Sequence, residues 1–400
     1  NVLGQETRLS LDGSAWVATD GGMRTFDATM RSGPHEVRVE GEAVDGRLIG
    51  KMHTGGEVLP FDLPLPADLL SSGGTLPGGT LPRMRPGDKL EIDAFDPVSM
   101  SPSKAMLRCV GAEQRIIADE AVDTYVVEAK IGLLTTKAWL SGDGEILRAE
   151  TPFGFAIERI SEEEALTGTA GGKELLGIFA VHATGKTPWR GAEFMKIRLS
   201  GAPVDSLPED TPYQRRSGDE IEITMPPEPA GDTPVDTAAM AAHLGSDAFI
   251  TPDHPRIRAA AREAVGEART AWEKARRLHD WVFANIEKTP AITLPAALDV
   301  LDTRHGDCNE HAVLYAALAR AVGVPTRIAV GLVWSDELAG FAYHAWVEVW
   351  CGGAWTPMDP TLGQPIADAT HFKLIEGGIE QWGRLLSYIA ALEIEVVEVG

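Results

Sequence analysis

Apolar and polar residues alternate with period two along most of the first 160 positions. "HEVRVEGEAVDG" (His35–Gly46) places Val37 and Val39 on one side and Glu36, Arg38 and Glu40 on the other, and "RLIGKMHT" follows its turn. "DKLEIDAF", "KAMLRCVG", "DTYVVEAKIG" and "TKAWLSGDGEILRAETP" continue the pattern, with "SGDGE" (Ser141–Glu145) as a hairpin turn because Asp-Gly tolerates positive φ. These segments predict an antiparallel β domain over 1–160, interrupted by the long Gly/Pro loop "LSSGGTLPGGTLPRMRPGD". Residues 161–250 predict a mixed segment of an acidic start, two strands ("EFMKIRLSG", "DEIEITMPP") and the linker-like "PPEPAGDTPVD".

From about 251 the period changes. Ala271, Ala275, Leu278 and Val282 recur at helical spacing. "PAALDVLDTR" predicts a short helix, and "NEHAVLYAALARAVG" another, with Gly323 at its end and Pro325 beyond. The strands "TRIAVGLVW" and "FAYHAWVEVW" come next, then a glycine turn and "AWTPMDP". The tail 376–400 predicts a helix followed by an edge strand. The class is α+β, with a mostly β N-terminal part and a mixed module over 251–375.

Composition narrows the function classes. The 400 residues are 44% hydrophobic and 24% charged, as in a globular protein with more than one domain. A net charge of -23 argues against nucleic acid and anionic lipid as partners. The longest apolar stretches, such as "LLGIFAVHA" (Leu175–Ala183), are too short for a membrane span. Three cysteines make no disulfide framework; Cys109 with Cys351 is the one bridge considered, beside three free thiols. The chain opens without Met and without a signal segment, and with its β appendage this leads to the expectation of an exported, periplasmic or secreted bacterial protein.

The candidate chemistry centres on "RHGDCNEHA" (Arg304–Ala312). Cys308 stands where the helical pattern begins and Asp307 is a natural N-cap, so helix N–H groups and dipole predict a thiol pKa below the usual ~8.5. A nucleophilic cysteine needs a base and a group to orient it. "YHAWVEVW" offers His344, on one strand face with Trp346, Glu348 and Trp350; the strand after the turn leads to Asp359. With a Cys351-Gly352 turn, His344 lies opposite Asp359; with Gly352-Gly353, Asp359 faces Trp346 and is diagonal to His344. Trp346 is a candidate substrate contact. Arg327 calls for a charge partner. The competing metal reading takes His305, Cys308 and His311 as ligands, but a helix beginning at Cys308 leaves His305 outside it.

The run from "ALDVLDTRHGDCNEHA" through "GVPTR" and "YHAWVEVW" to "AWTPMDPT" resembles the transglutaminase-like superfamily of papain-type cysteine enzymes, with four motifs in family order. The resemblance implies a helix bearing Cys308 packed on an antiparallel sheet bearing His344 and Asp359. It also implies cysteine-dependent cleavage of an amide bond in a peptide or protein, through a thioester and with no cofactor or metal. Acyl transfer to an amine and a non-catalytic binding role are the alternatives. Cross-linking members of the family carry a tryptophan ahead of the cysteine helix; "TPAITLPAALDVL" has no aromatic residue, which favours hydrolysis and leaves the second oxyanion donor unassigned.

Overall fold

The computed structural model describes residues 9–17, 23–54, 56–64, 70–71, 81–96, 101–118, 120–131, 134–150, 156–161, 180–201, 207–208, 210–230, 234–247, 249–289, 296–377 and 392–400. The acidic run after Ser161, most of the Leu175 stretch, the Gly/Pro run at 72–80 and the tail helix lie outside these residues.

The alternating N-terminal segments form two sheets rather than one. Strands β1 (Leu9–Val17), β2 (Met23–Ser32), β3 (His35–Val44), β4 (Arg47–Thr54) and β5 (Glu57–Pro64) make an antiparallel meander in chain order. Val37, Val39 and Met52 are buried and pack with Phe26, Met30 and Phe61. Strands β6 (Leu70–Ser71), β7 (Lys89–Asp96), β8 (Ser101–Ile117), β9 (Glu120–Ile131), β10 (Leu134–Leu140), β11 (Ile146–Glu150) and β12 (Ala156–Glu158) make the second. It is antiparallel except where β6 joins β7. Its core is separate and contains Leu107, Cys109, Val127 and Leu140.

A third sheet corrects the expectation for the tail. Strands β13 (Ala183–Gly185), β14 (Phe194–Ser200), β15 (Gln214–Ser217) and β16 (Glu220–Thr224) are joined by the last strand, Glu393–Val399. That strand is not at an edge: it lies between β13, to which it runs parallel, and β14, to which it runs antiparallel. Its alternating Ile394 and Val396 are buried in the main core, and its backbone is paired along both sides.

Among the described residues there are four α-helices, all in the C-terminal part: α1 (Pro255–Val265), α2 (Ala271–Asn285), α3 (Ala297–Thr303) and α4 (Cys308–Ala321). Ala275, Leu278 and Val282 of α2 are buried as the spacing predicts. Thr270 and Glu273 form a capping box at its start. The short strands β17 (Glu287–Lys288) and β18 (His305–Gly306) pair beside the start of α4. Strands β19 (Thr326–Ser335), β20 (Gly340–Cys351), β21 (Ala354–Met358) and β22 (His371–Glu376) form an antiparallel sheet ordered β21-β20-β19-β22, and Glu393–Val399 is β23. Helix α4 lies against β20 and β19. Its residues from Ala312 to Ala319 share one core with Ile328, Val330, Ala345, Val347 and Val349.

No helix among the described residues is long and apolar enough to cross a membrane. No disulfide joins Cys109, Cys308 or Cys351, which removes the Cys109–Cys351 bridge: Cys109 belongs to the second sheet's core and Cys351 to the main core. The first sheet meets the helices at His35. His35, at the start of β3, is buried and its Nδ1 is bonded to Asp299 of α3.

Candidate active site

The turn into α4 explains why the sequence reads Gly-Asp-Cys. Asp307 is the N-cap: its Oδ1 accepts from the Asn309 amide at 3.0 Å, and Glu310 Oε2 accepts from the Asp307 amide at 2.9 Å, completing a capping box. Glu310 can fold back this way only because Gly306 has no side chain; a Cβ there would lie 2.2 Å from the Cβ of Glu310. Glu310, which is buried, therefore serves the cap. Cys308 becomes the first helical residue and is 7% exposed.

The β20–β21 turn decides between the two registers. Cys351 pairs with Ala354 and Val347 with Met358, so the turn residues are Gly352 and Gly353, at φ +63° and +85°. Both must be left-handed in a turn of this kind, hence two glycines. Asp359 follows one position beyond the Val347–Met358 pair, toward Trp346 and diagonal to His344. Even so, His344 Nε2 lies 2.8 Å from Asp359 Oδ2. The other oxygen, Oδ1, accepts from the Thr361 and Leu362 amides at 2.8 and 3.0 Å. Backbone bonds between Asp359 and Gln364, both 2.9 Å, close this loop.

The amide of Ala345, the residue after His344 on β20, lies within hydrogen-bonding reach of the Cys308 sulfur. The structure thus brings the start of α4, the strand residue His344 and the buried Asp359 into one cluster. His344 is 5% exposed and Asp359 fully buried.

The electrostatics reverse one expectation from the sequence. Burial, then the Asp307, Glu310 and Asp359 carboxylates, push the Cys308 thiol well above its ordinary range, against the pull of the Ala345 amide. Helix N–H groups favour thiolate, but in a site this closed the loss of solvent outweighs them. Burial likewise pushes the His344 imidazole down, although Asp359 opposes it. Asp359 is held well below the usual carboxylate range because its two imidazole partners outweigh its burial. Burial thus works against charge on both Cys308 and His344, while Asp359 is held as a carboxylate.

The remaining sequence candidates separate. Trp346 is fully buried rather than set on an open groove; its ring stacks 6.3 Å from His344 and meets His371 edge-on at 5.2 Å. The metal set does not converge: His311 Nδ1 bonds the Asp307 carbonyl oxygen at 2.6 Å, while His305 faces Glu287 at 3.7 Å. Arg327 has its partner, with Nε 2.7 Å from Glu348 Oε2.

Three residues of the cluster carried no motif signal. His371 Nε2 lies 3.0 Å from the same Asp359 Oδ2, and Asp368 backs His371 from the other side. His279 Nε2 lies 3.1 Å from the Asp359 carbonyl oxygen. His344, Asp359 and His371 are the group among the described residues whose nitrogen and oxygen atoms lie together within 4.8 Å, as a metal would require. Here those atoms are engaged with one another as hydrogen-bond partners.

Residues 258–360 match the family model of the transglutaminase-like superfamily. No curated protein matches the chain. Solved structures similar to it include the following two. One, described as "a putative cysteine protease from Cytophaga hutchinsonii", is 15% identical, with 53% of this chain and 85% of that chain covered and a TM-score of 0.33. The other, "a putative protease from Parabacteroides distasonis", is 11% identical over 88% of this chain and 66% of that chain, with a TM-score of 0.24.

Proposed function

We propose that this protein, whose residues 258–360 match the transglutaminase-like superfamily, is a cysteine-dependent amide hydrolase acting on a peptide or protein. In this reading α4 and the β19–β22 sheet are a papain-like core, Cys308 is the nucleophile, His344 the general base and acid, and Asp359 the group that orients His344. The observation that carries the reading is the continuity of the cluster. Cys308 sits against the Ala345 amide, the adjacent residue His344 bonds Asp359 at 2.8 Å, and Asp359 is locked by two backbone amides.

The tautomer follows from the partners. An ionised carboxylate only accepts, so Nε2 of His344 carries the proton and Nδ1 keeps its lone pair. As a substrate carbonyl enters, Nδ1 takes the Cys308 proton and the sulfur attacks the carbonyl carbon. The Cys308 amide, free at the helix start, is placed to donate to the developing oxyanion. The imidazolium returns its proton to the departing amine, leaving a thioester. Water, deprotonated by His344, then adds to the thioester and the thiol leaves with that proton. Because burial works against charge on both groups, the proton transfer belongs to the attack step rather than to a standing ion pair.

The test needs no known substrate. Alkylation of each cysteine is followed by peptide mapping against pH, in wild type and His344→Ala. Cys308, buried like Cys109 and Cys351, is expected to react faster than both because His344 takes its proton as the sulfur attacks, with a pH profile that His344→Ala moves. Equal reactivity of all three thiols, independent of His344, sinks the reading. A peptide library with and without a primary amine then separates hydrolysis from acyl transfer by the mass of the product.

A further inference from the structure

His371 adds to the site a group that a three-residue cluster does not need. It is 1% exposed and opens β22. Its Nε2 lies 3.0 Å from Asp359 Oδ2, the oxygen that His344 also bonds. Its Nδ1 lies 3.2 Å from Asp368 Oδ1 and from the Asp368 carbonyl oxygen. Oxygens of this kind only accept, so both ring nitrogens donate and the ring is an imidazolium.

Asp368 is itself fixed. Its Oδ2 accepts from the Gly191 amide at 2.8 Å, from Gln364 Nε2 at 2.6 Å and from Arg190 Nε at 3.4 Å. Its Oδ1 accepts from the Thr370 amide at 3.0 Å and the Thr370 hydroxyl at 2.5 Å. The clamp thus runs from the segment leading into β14, through Asp368 and His371, to Asp359. The charged and titratable groups facing His371 are Asp359 beyond β21, Asp368 before β22 and His344 on β20, whose ring centroid is 5.7 Å away; Arg190 stands behind Asp368.

We propose that His371, clamped by Asp368, is a positioning residue of the Cys308 site: it holds the Asp359 carboxylate against His344 and keeps a fixed positive charge beside the pair. The inference rests on the proposed function, and it assigns His371 two separable tasks. The Nε2–H bond orients Asp359. The charge makes proton loss from the Cys308–His344 pair easier, because each deprotonation there lowers the net charge beside an imidazolium by one unit. The direction agrees with the effects of His371 on its neighbours: it lowers the proton affinity of both His344 and Asp359.

Two variants divide the tasks. His371→Gln keeps a donor toward Asp359 and removes the charge; His371→Leu removes both. The readout is the pH profile of Cys308 alkylation, well below each variant's melting temperature. In His371→Gln the midpoint is expected to rise by about one pH unit, with the plateau rate within about threefold of wild type. In His371→Leu the midpoint rises as well and the plateau falls by about tenfold, the equivalent of one oriented hydrogen bond. A residue that only fills space would lower the melting temperature of both variants and leave the midpoint alone. A wild-type midpoint in folded His371→Gln therefore overturns the proposal, whether or not His371→Leu folds. The His344→Ala profile keeps the two levels apart. If it too matches wild type, the proposed function fails; if it moves while the His371 variants do not, only the role of His371 fails.

Discussion

Lys373→Met tests how the sheet beneath the site is held. Lys373 is fully buried, with Nζ 3.1 Å from both oxygens of Glu348 and 2.9 Å from Glu376 Oε1. Glu348, also fully buried, accepts in addition from Arg327 Nε and the Tyr213 hydroxyl, each at 2.7 Å. Arg327 reaches Glu376 at 2.8 Å, so two cations balance two anions. Methionine matches the lysine stem in volume but leaves one buried negative charge in excess. Breaking a buried pair from one side costs about 3–5 kcal/mol, and the surviving Arg327 and Tyr213 bonds favour the low end, about 3 kcal/mol. For a module of this size that is a fall in melting temperature of about 6–12 °C. Thermal denaturation followed by tryptophan fluorescence reads it, since Trp355 stacks on Arg327 with 4.3 Å to the ring centroid. The double variant Lys373→Met/Glu348→Gln restores balance, with Arg327 facing Glu376, and should be less damaged than the sum of the two single variants. A single-variant loss below about 1 kcal/mol, or strict additivity, would refute the account of a charge-balanced interior.

Other outcomes follow from the same geometry. Gly331→Ala places a Cβ 2.0 Å from the Phe372 carbonyl oxygen, opposite His344 in the β19–β20 register. It should cost about 2 kcal/mol or more in urea denaturation and slow Cys308 labelling. Gly306→Ala drives a Cβ into Glu310 and breaks the capping box, so Cys308 reactivity should fall with a stability loss of about 1 kcal/mol; an unchanged labelling rate would contradict the role given to that turn. Asp359, Asp368 and Glu348 all have folded-state pKa values below their unfolded ones. Their contribution is present above pH ~4 and lost as pH falls through the folded values, so melting temperature should drop steeply in acid. His371 has the opposite sign. Burial opposes its charge, but Asp359 and Asp368 raise its pKa, so its contribution is complete below pH ~6.5 and lost as pH rises through the higher folded value; the melting-temperature difference between wild type and His371→Leu should shrink on the alkaline side.

Periodicity made the C-terminal elements legible because each has one buried face and local punctuation. Helix α4 begins at the predicted Asp307 cap, and the Gly352-Gly353 turn was one of two registers that the sequence allowed. The division of the N-terminal strands into two sheets was not legible, since alternation marks which face of a strand is buried and not which sheet it joins. The interior place of β23 was hidden for a related reason. "EIEVVEV" alternates as an edge strand would, and its partners β13 and β14 lie some 200 residues earlier in the chain. The direction of the Cys308 shift was missed because a helix start can be read locally, whereas burial is a property of the finished fold.

His371 and Asp368 show where reading by motif stops. Neither stands at a spacing that chemistry requires along the chain, yet hydrogen-bond accounting leads to both. Asp359 is fully buried and ionised, and a buried carboxylate must have its lone pairs engaged. Two backbone amides take Oδ1 and His344 takes one position on Oδ2, which leaves room for one more donor. His371 fills it and, as a buried cation, needs a second anion; Asp368 supplies that and is in turn satisfied by Gly191, Gln364, Thr370 and Arg190. Each member of the chain is there because the previous one could not be buried without it. The sequence shows the end of the chain that meets Cys308, because that end carries a recognisable motif; the rest is fixed by the requirement that no buried charge go unanswered.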